Sequence, residues 1–396
     1  MLPSRILGFC AIAGLNLISS VSASDGDDLE EFEDCLYQCN QITCFKNPYN
    51  IIQQEFEEAL KRNNHRFHRY ESSWRFEKDL SGHLRAMLWD CESNCDYQCQ
   101  RIITAERKAK GEEVYQFHGK WPFLRVFGIQ ELASAVFSMA NFFPHYIGFW
   151  EVSKTIENLP SEKYNALKRP LRNVQFVAFV TMCAWIFSTI YHVRDFLITE
   201  RLDYYFAGLT VLSGFYGIGY RYLRLYLPTR RLYLFLFTAL CFLSYCGHVY
   251  YLVSDWLYTY NMRANIAVGI LQNVFWALTC YSLYYRYYAM ESNNENYDLK
   301  KHLQYTQGST LILGDFYNRS AKLFSLYPLA ICSIVLLGIS LEIFDFPPIF
   351  YDLVDAHSLW HLVTAVPSYM GWYKWMIWDI CENVWADLLP VKKKEE

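Results

Sequence analysis

Positive charge is never gathered in this sequence. The 36 lysines and arginines stand against 40 acids, a formal net charge of −4 over 396 residues, and no segment forms a basic domain. Phosphate recognition needs clustered Lys and Arg, so nucleic-acid binding is excluded as the main activity. Charge of either sign is scarce from 124 to 380, where long apolar runs are spaced by short basic loops. Residues 24–123 are rich in charge instead, so the mean hydropathy of +0.01 averages two unlike halves. What the chain has in abundance is apolar and aromatic side chains, 53% and 18%, against a usual apolar share of roughly 45–50%. An ordinary soluble domain does not fit that composition. The 32 tyrosines suit a bilayer boundary, where amphipathic rings gather.

The first residues read as a secretory signal. Arg5 supplies the positive charge, Ile6 to Ile18 an apolar core, and Val21-Ser22-Ala23 the small residues of a cleavage site. The apolar stretch is too short for the roughly 17–25 residues of an anchor helix, so residues 1–23 are assigned as a signal peptide and the mature chain starts near Ser24. An acidic run, Asp25 to Asp34, leads into six cysteines in two triplets, Cys35, Cys39, Cys44 and Cys91, Cys95, Cys99. In an oxidising lumen an even set in a small segment reads as three disulfides whose connectivity stays open. No histidine sits at ligand spacing within either triplet, which weighs against a zinc cluster. The segment 24–123 has little core of its own, with Ile51 to Arg62 its clearest amphipathic stretch, and cross-links are a substitute for one.

Seven apolar stretches follow, near 124–147, 171–193, 202–221, 231–253, 264–288, 323–345 and 355–377, each long enough to cross about 30 Å of hydrocarbon. The expected fold is an all-α membrane protein, a seven-transmembrane-helix bundle over 124–380 preceded by a disulfide-rich lumenal domain and followed by a tail at 381–396. With the N-terminus lumenal, Lys154, Lys163, Lys168, Arg169, Arg224, Arg230, Lys300, Lys301, Arg319 and Lys322 fall in cytosolic loops and only Arg194, Arg201 and Arg263 in lumenal ones, as the positive-inside rule requires. Lys393 and Lys394 then form a cytosolic dilysine pattern, which favours residence in the endoplasmic reticulum membrane over the Golgi; a solvated charged tail explains the same residues.

Ionisable residues inside spans are costly and mark function or a partner. The second span ends with Ser188 and His192 one turn apart, the third begins at Asp203, and the seventh begins with His357 and His361, again at i, i+4. The topology puts all three groups at one depth, just inside the lumenal leaflet. Two histidines at this spacing can aim ring nitrogens at one metal, and a third from a neighbouring helix completes a set with an open fourth position, as in catalytic zinc sites. Taken singly, each residue has a plainer role: HxxxH as packing, Ser188 as a back-bonded hydroxyl, Asp203 as a helix N-cap. His248 is a spare ligand by depth, His145 lies at the opposite end of the first span, and Glu131 and Asn141 are assigned to helix packing or an access path.

The stretches FSTIYHVRDFLITERLDYY and DAHSLWH resemble the GPI-anchor lipid-remodelling deacylases, the post-GPI-attachment-to-proteins factors, within a superfamily that includes alkaline ceramidases and progestin and adiponectin receptors. Ser188, His192, Asp203, His357 and His361 match that pattern position by position, and the resemblance covers most of the chain. It implies a phospholipase A2-type hydrolase removing the sn-2 acyl chain from the inositol phospholipid of GPI-anchored proteins. In that reading Zn2+ is held by His192, His357 and His361, and Ser188 and Asp203 are catalytic. The cysteine-rich domain would contact glycan or protein cargo, and Arg194 and Asp195 either the head group or each other. A seven-helix lipid receptor, a ceramidase-like amidase and a non-catalytic cargo or quality-control factor are the alternatives.

The topology has a direct check. The one glycosylation sequon, Asn318-Arg319-Ser320, falls in a cytosolic loop and should carry no glycan. Glycosidase treatment should therefore leave gel mobility unchanged, and a mobility shift abolished by Asn318→Gln would reverse the orientation.

Overall fold

Two short helices carry the cysteines. Cys35 and Cys39 sit one turn apart on α1 (Glu30–Cys39), and a π-turn over Asn40–Cys44 carries the row on to Cys44. On α2 (Cys91–Lys110) the second triplet recurs at every fourth residue. Its start is fixed by a reciprocal cap between Asp90 and Ser93, and its end by Gly111, whose φ of 73° suits a residue without a Cβ. The bonds run Cys35–Cys99, Cys39–Cys95 and Cys44–Cys91. This nested order closes what the sequence left open and requires the two helices to lie antiparallel. Phe32, Trp74, Ile103 and Phe117 pack around the ladder, a core small enough for the cross-links to matter. Cysteines from Cys183 to Cys381 remain free thiols.

The computed structural model describes residues 24–46, 68, 71–159, 162–292 and 314–388. The signal segment, Ile51 to Arg62, Lys300, Lys301 and the terminal lysines lie outside the described residues. Among those described there are only isolated β-bridges and no strands.

Each of the seven predicted stretches contains a helix: α3 (Leu132–Glu157), α4 (Lys168–Val193), α5 (Leu197–Tyr222), α6 (Arg231–Ser254), α7 (Tyr258–Ser292), α8 (Tyr327–Ile343) and α9 (Ala356–Tyr369). Four helical stretches, 164–193, 228–254, 258–292 and 321–343, are long and apolar enough to cross a membrane. The others fall short for physical reasons. Helices α3 and α5 carry buried polar groups, Ser138 and Asn141 on one and Ser213 and Arg221 on the other, and α9 has only 14 residues.

Several boundaries differ from the sequence reading. The first helix begins at Leu132 rather than near 124, because a turn bridges Val126 to Ile129 with Phe127 and Gly128 both at positive φ. His145 therefore lies mid-helix. Helix α5 starts at Leu197, which puts Asp203 well inside it and excludes the N-cap role. Helix α7 runs 35 residues, about 50 Å at 1.5 Å per residue, and is tied at its far end through Arg286 to Asp387 and Glu291 to Lys322. The last stretch breaks at Gly371, φ 93°, into α10 (Trp372–Trp378) and a π-turn, Asp379–Val384. Cys381, Asn383 and Val384 are buried there, so the chain beyond 380 begins as core and not as a tail.

Helix α3 packs on α4 and α9, α4 on α5, α5 on α7, and α8 on α9. The main core sits at one end of this assembly, where Leu167 and Leu171 of the α4 approach meet Ile218, Phe324, Tyr327, Trp375 and Trp378. The opposite ends of the same helices carry the histidines. Helix α6 is nearly unclothed, with 6% of its apolar window buried and Leu232, Phe235, Leu240 and Phe242 exposed, a surface suited to lipid.

One ion pair anchors the core end. Arg221 donates from Nε and from a second guanidinium nitrogen to the two oxygens of buried Asp379, at 2.5 and 2.9 Å. Removing one partner strands a buried charge, so Arg221→Met should cost about 3–5 kcal/mol. Arg221→Met with Asp379→Leu should recover most of that loss, measured as thermal stability of the detergent-purified protein.

Candidate metal centre

Local structure aims the histidines. The Asp355 carboxylate accepts from the Ser358 N–H at 2.8 Å while the Asp355 N–H donates to Ser358 Oγ at 3.0 Å. This capping box fixes the first turn of α9, and with it His357 and His361 one turn on. His192 ends α4. The chain entering α3 is stitched to that end by Gln130 N–H to Val193 O at 3.1 Å and Glu131 N–H to His192 O at 3.0 Å.

The three imidazoles converge. One ring nitrogen from each of His192, His357 and His361 lies within 4.8 Å of the others, and His357 Nε2 and His361 Nε2 are 3.0 Å apart. Every Nδ1 is engaged: His192 with Glu131 Oε2 at 2.8 Å, His357 with Glu342 Oε1 at 2.8 Å, and His361 with Ser138 Oγ at 2.8 Å. The Ser138 hydroxyl donates back to Ser134 O at 2.8 Å, which leaves its lone pairs to accept from His361 Nδ1–H. With Nδ1–H donating in all three rings, each Nε2 presents a lone pair to the shared space. His192 Nε2 is buried with no hydrogen-bond partner. Three lone pairs aimed at one point repel unless a cation sits between them, and an outer partner on each imidazole is the usual arrangement around metal-bound histidine. The donor set thus fits a borderline-soft divalent ion such as zinc.

Ser188 and Asp203 join the same place. Ser188 Oγ lies 3.1 Å from Ser138 Oγ and close to Asp203, whose carboxylate feels the charges of His192 and His357. All five residues singled out from the sequence are therefore neighbours. His248 does not join them; it stacks on Tyr260, ring centroids 5.5 Å apart. His145 is bound to Tyr373 Oη at 2.6 Å. Asn141 donates to His361 O at 2.6 Å, a packing role as expected.

Glu131, expected in helix packing or an access path, is instead the partner of His192 Nδ1. Glu342, Ser138 and Lys120 were missed. Glu342 left a trace in the sequence, as one of two acids in the stretch 323–345, whereas a single serine such as Ser138 leaves none. Lys120 comes from the cysteine-rich side: Nζ is 2.6 Å from Glu131 Oε1 and 3.0 Å from Asp195 Oδ2, and 3.8 Å above the Tyr191 ring. Burial disfavours its ammonium form, and the charges of Glu131 and Asp195 outweigh that, holding its pKa above the ordinary lysine value. A chain of contacts thus leads from the disulfide domain through Lys120 and Glu131 to His192.

Fold and site define a class: a helical protein with membrane-length helices and a partly buried three-histidine donor set beneath a disulfide-bonded cap. The chain belongs to the Per1-like family, whose profile matches residues 81–380. It is 38% identical over 362 residues to Protein PER1 of Saccharomyces cerevisiae, covering 91% of this chain and 92% of that one. It is 29% identical over 365 residues to Post-GPI attachment to proteins factor 3 of Drosophila melanogaster, covering 92% and 91%. With the human GPI-specific phospholipase A2-like PGAP3 the identity is 28% over 357 residues, covering 90% and 89%.

If the carboxylates orient the rings, Glu131→Gln and Glu342→Gln should each weaken divalent-metal affinity about 10–100-fold with little change in helix content. Zinc titration with competing chelators reads this directly. Unchanged affinity in both variants would remove the carboxylates from the site.

Proposed function

We propose that this protein hydrolyses the sn-2 acyl ester of the inositol phospholipid on GPI-anchored proteins, releasing a fatty acid and leaving a lyso lipid. The observation that carries the reading is the convergence of three Nε2 lone pairs beside an acid and a serine, in a chain whose relatives bear GPI-specific phospholipase A2-like names. His192, His357 and His361 would hold zinc, with Glu131, Glu342 and Ser138 fixing their tautomers. Bound zinc supplies Lewis acidity to an ester carbonyl and lowers the pKa of water to about 7.

The remaining chemistry belongs to the chain. Asp203 takes the proton from the water oxygen as it attacks the ester carbon, and returns it to the glycerol oxygen as the acyl bond breaks. Ser188 donates to Asp203 and holds it toward the histidines, or donates to the developing oxyanion. The low-polarity walls of the bundle strengthen each of these interactions.

Placement follows from redox chemistry. Three disulfides need an oxidising compartment, and the domain that carries them docks on the histidine end of the bundle, with Arg101 2.8 Å from Asp352. The site then faces the lumen, in seven spans of an endoplasmic reticulum membrane protein, where the lipid of a GPI-anchored protein presents its ester.

The test is fatty-acid release from diacyl GPI lipid by purified protein. Asp203→Ala should lower the rate about 100-fold or more, and His357→Ala should lose both rate and zinc. Ceramide offered in parallel should remain intact. Full activity in both variants, or cleavage of ceramide in preference to the ester, would defeat the proposal.

A further inference from the structure

Between the disulfide domain and the rim of the bundle lies a cavity of about 190 Å3. Its walls mix two chemistries. Trp89, Tyr97, Trp121 and Phe123 contribute aromatic surface, while Asp96, Gln100, His118 and Gln130 contribute hydrogen-bonding groups. All but one of its charged groups are already matched. Lys120 lies against Asp195 and Glu131. His118 is 2.9 Å from Asp96 and 3.2 Å from Asp27, and the bond to Asp96 raises its pKa above the ordinary histidine value. Arg194 stacks on Trp89 at 4.0 Å and feels the charges of Asp90 and Asp195, but makes no ion pair among the described residues, and its Nε has no hydrogen-bond partner.

A phosphate would find one cation without a carboxylate in contact, Arg194, whose guanidinium lies against the rings of Trp89 and Phe196, and would have to displace a carboxylate to reach any other. A neutral ring bearing several hydroxyls suits the walls better: its C–H face lies on the electron-rich face of an aromatic ring, and its hydroxyls meet amide and carboxylate groups that donate and accept. The cavity also shares a wall with the histidines. Lys120 lines it, and the same ammonium binds Glu131, which binds His192. Two side chains, Lys120 and Glu131, therefore connect a molecule seated here to His192.

We propose that this cavity is the subsite for one polyhydroxylated ring, inositol or hexose, of the substrate's head group. The inference deepens the hydrolase reading and rests on it for the source of the ring. Lipid would lie within the bundle while the first ring outside the membrane is gripped by the disulfide domain, so the domain selects substrates by their sugar.

The experiment uses the full chain in lipid nanodiscs and saturation-transfer NMR with myo-inositol, methyl mannoside and glucosamine as separate probes. At least one ring should receive saturation, inorganic phosphate should not displace it, and the transfer should be lost in Gln100→Ala and Trp121→Ala but partly restored in Trp121→Phe. With diacyl GPI lipid the two alanine variants should raise KM about tenfold at unchanged kcat and unchanged zinc content. No transfer from any ring to the wild type, displacement by phosphate, or transfer untouched in both alanine variants would overturn the subsite. Ring binding is read without turnover, so a protein that binds the ring yet releases no fatty acid would sink the hydrolase and leave the subsite standing.

Discussion

Every feature of the site depends on the commitment of three Nδ1–H groups. Glu131, Glu342 and Ser138 each take one, and this leaves three lone pairs facing a common space from which His192 Nε2 has no other partner. The acceptors come from the chain entering α3, from α8 and from α3 itself, while the histidines come from α4 and α9. Six side chains from four helices and the segment entering α3 must therefore be in register at once. The reciprocal cap at Asp355 and the backbone stitching of Glu131 to His192 are the local devices that hold that register. Without them Glu131 would keep Lys120 alone as a close partner and Glu342 would lose the His357 ring, and unpaired polar groups are costly in an apolar interior.

The fold separates stability from chemistry along the length of the helices. At one end Trp375, Trp378, Phe324 and Tyr327 form a dense aromatic core pinned by Arg221 and Asp379. At the other the interior is polar and is closed from outside by the disulfide domain, which reaches the bundle through Lys120, Arg101 and Lys108. Exposed apolar surface is greatest on α6, which contributes nothing to the site. Hydropathy singles out α4, α6, α7 and α8 and passes over α3, α5 and α9, so of the helices around the histidine cluster it marks only α4 and α8.

That separation explains what could be read in advance. The five residues in Ser188, His192, Asp203, His357 and His361 were legible because helical spacing and topology are properties of sequence alone. The cysteine triplets announced cross-links, but their nesting required knowing that α1 and α2 run antiparallel. Glu131 was visible as a buried acid and was given the wrong task, since its partner lies sixty-odd residues away on the neighbouring helix. Ser138 and Lys120 carried no signal: a serine in a membrane helix usually bonds its own turn, and a lysine before a span usually meets solvent. Helix ends were displaced wherever a positive-φ turn or a polar anchor decided them, as at Phe127 and Gly128.

The order of the contributing segments along the chain bears on how the protein is made. Ser138 and His361 stand 223 positions apart, and the cap's contact from Arg101 to Asp352 spans 251. A ribosome delivering this chain to the translocation channel releases the cysteine ladder and the first helix early, and the last two ligands only near the end of synthesis. Until then the nascent protein has a single histidine of the set and a cap with nothing to dock on. The three-histidine set thus stays unassembled until the last helix that contributes to it has been made.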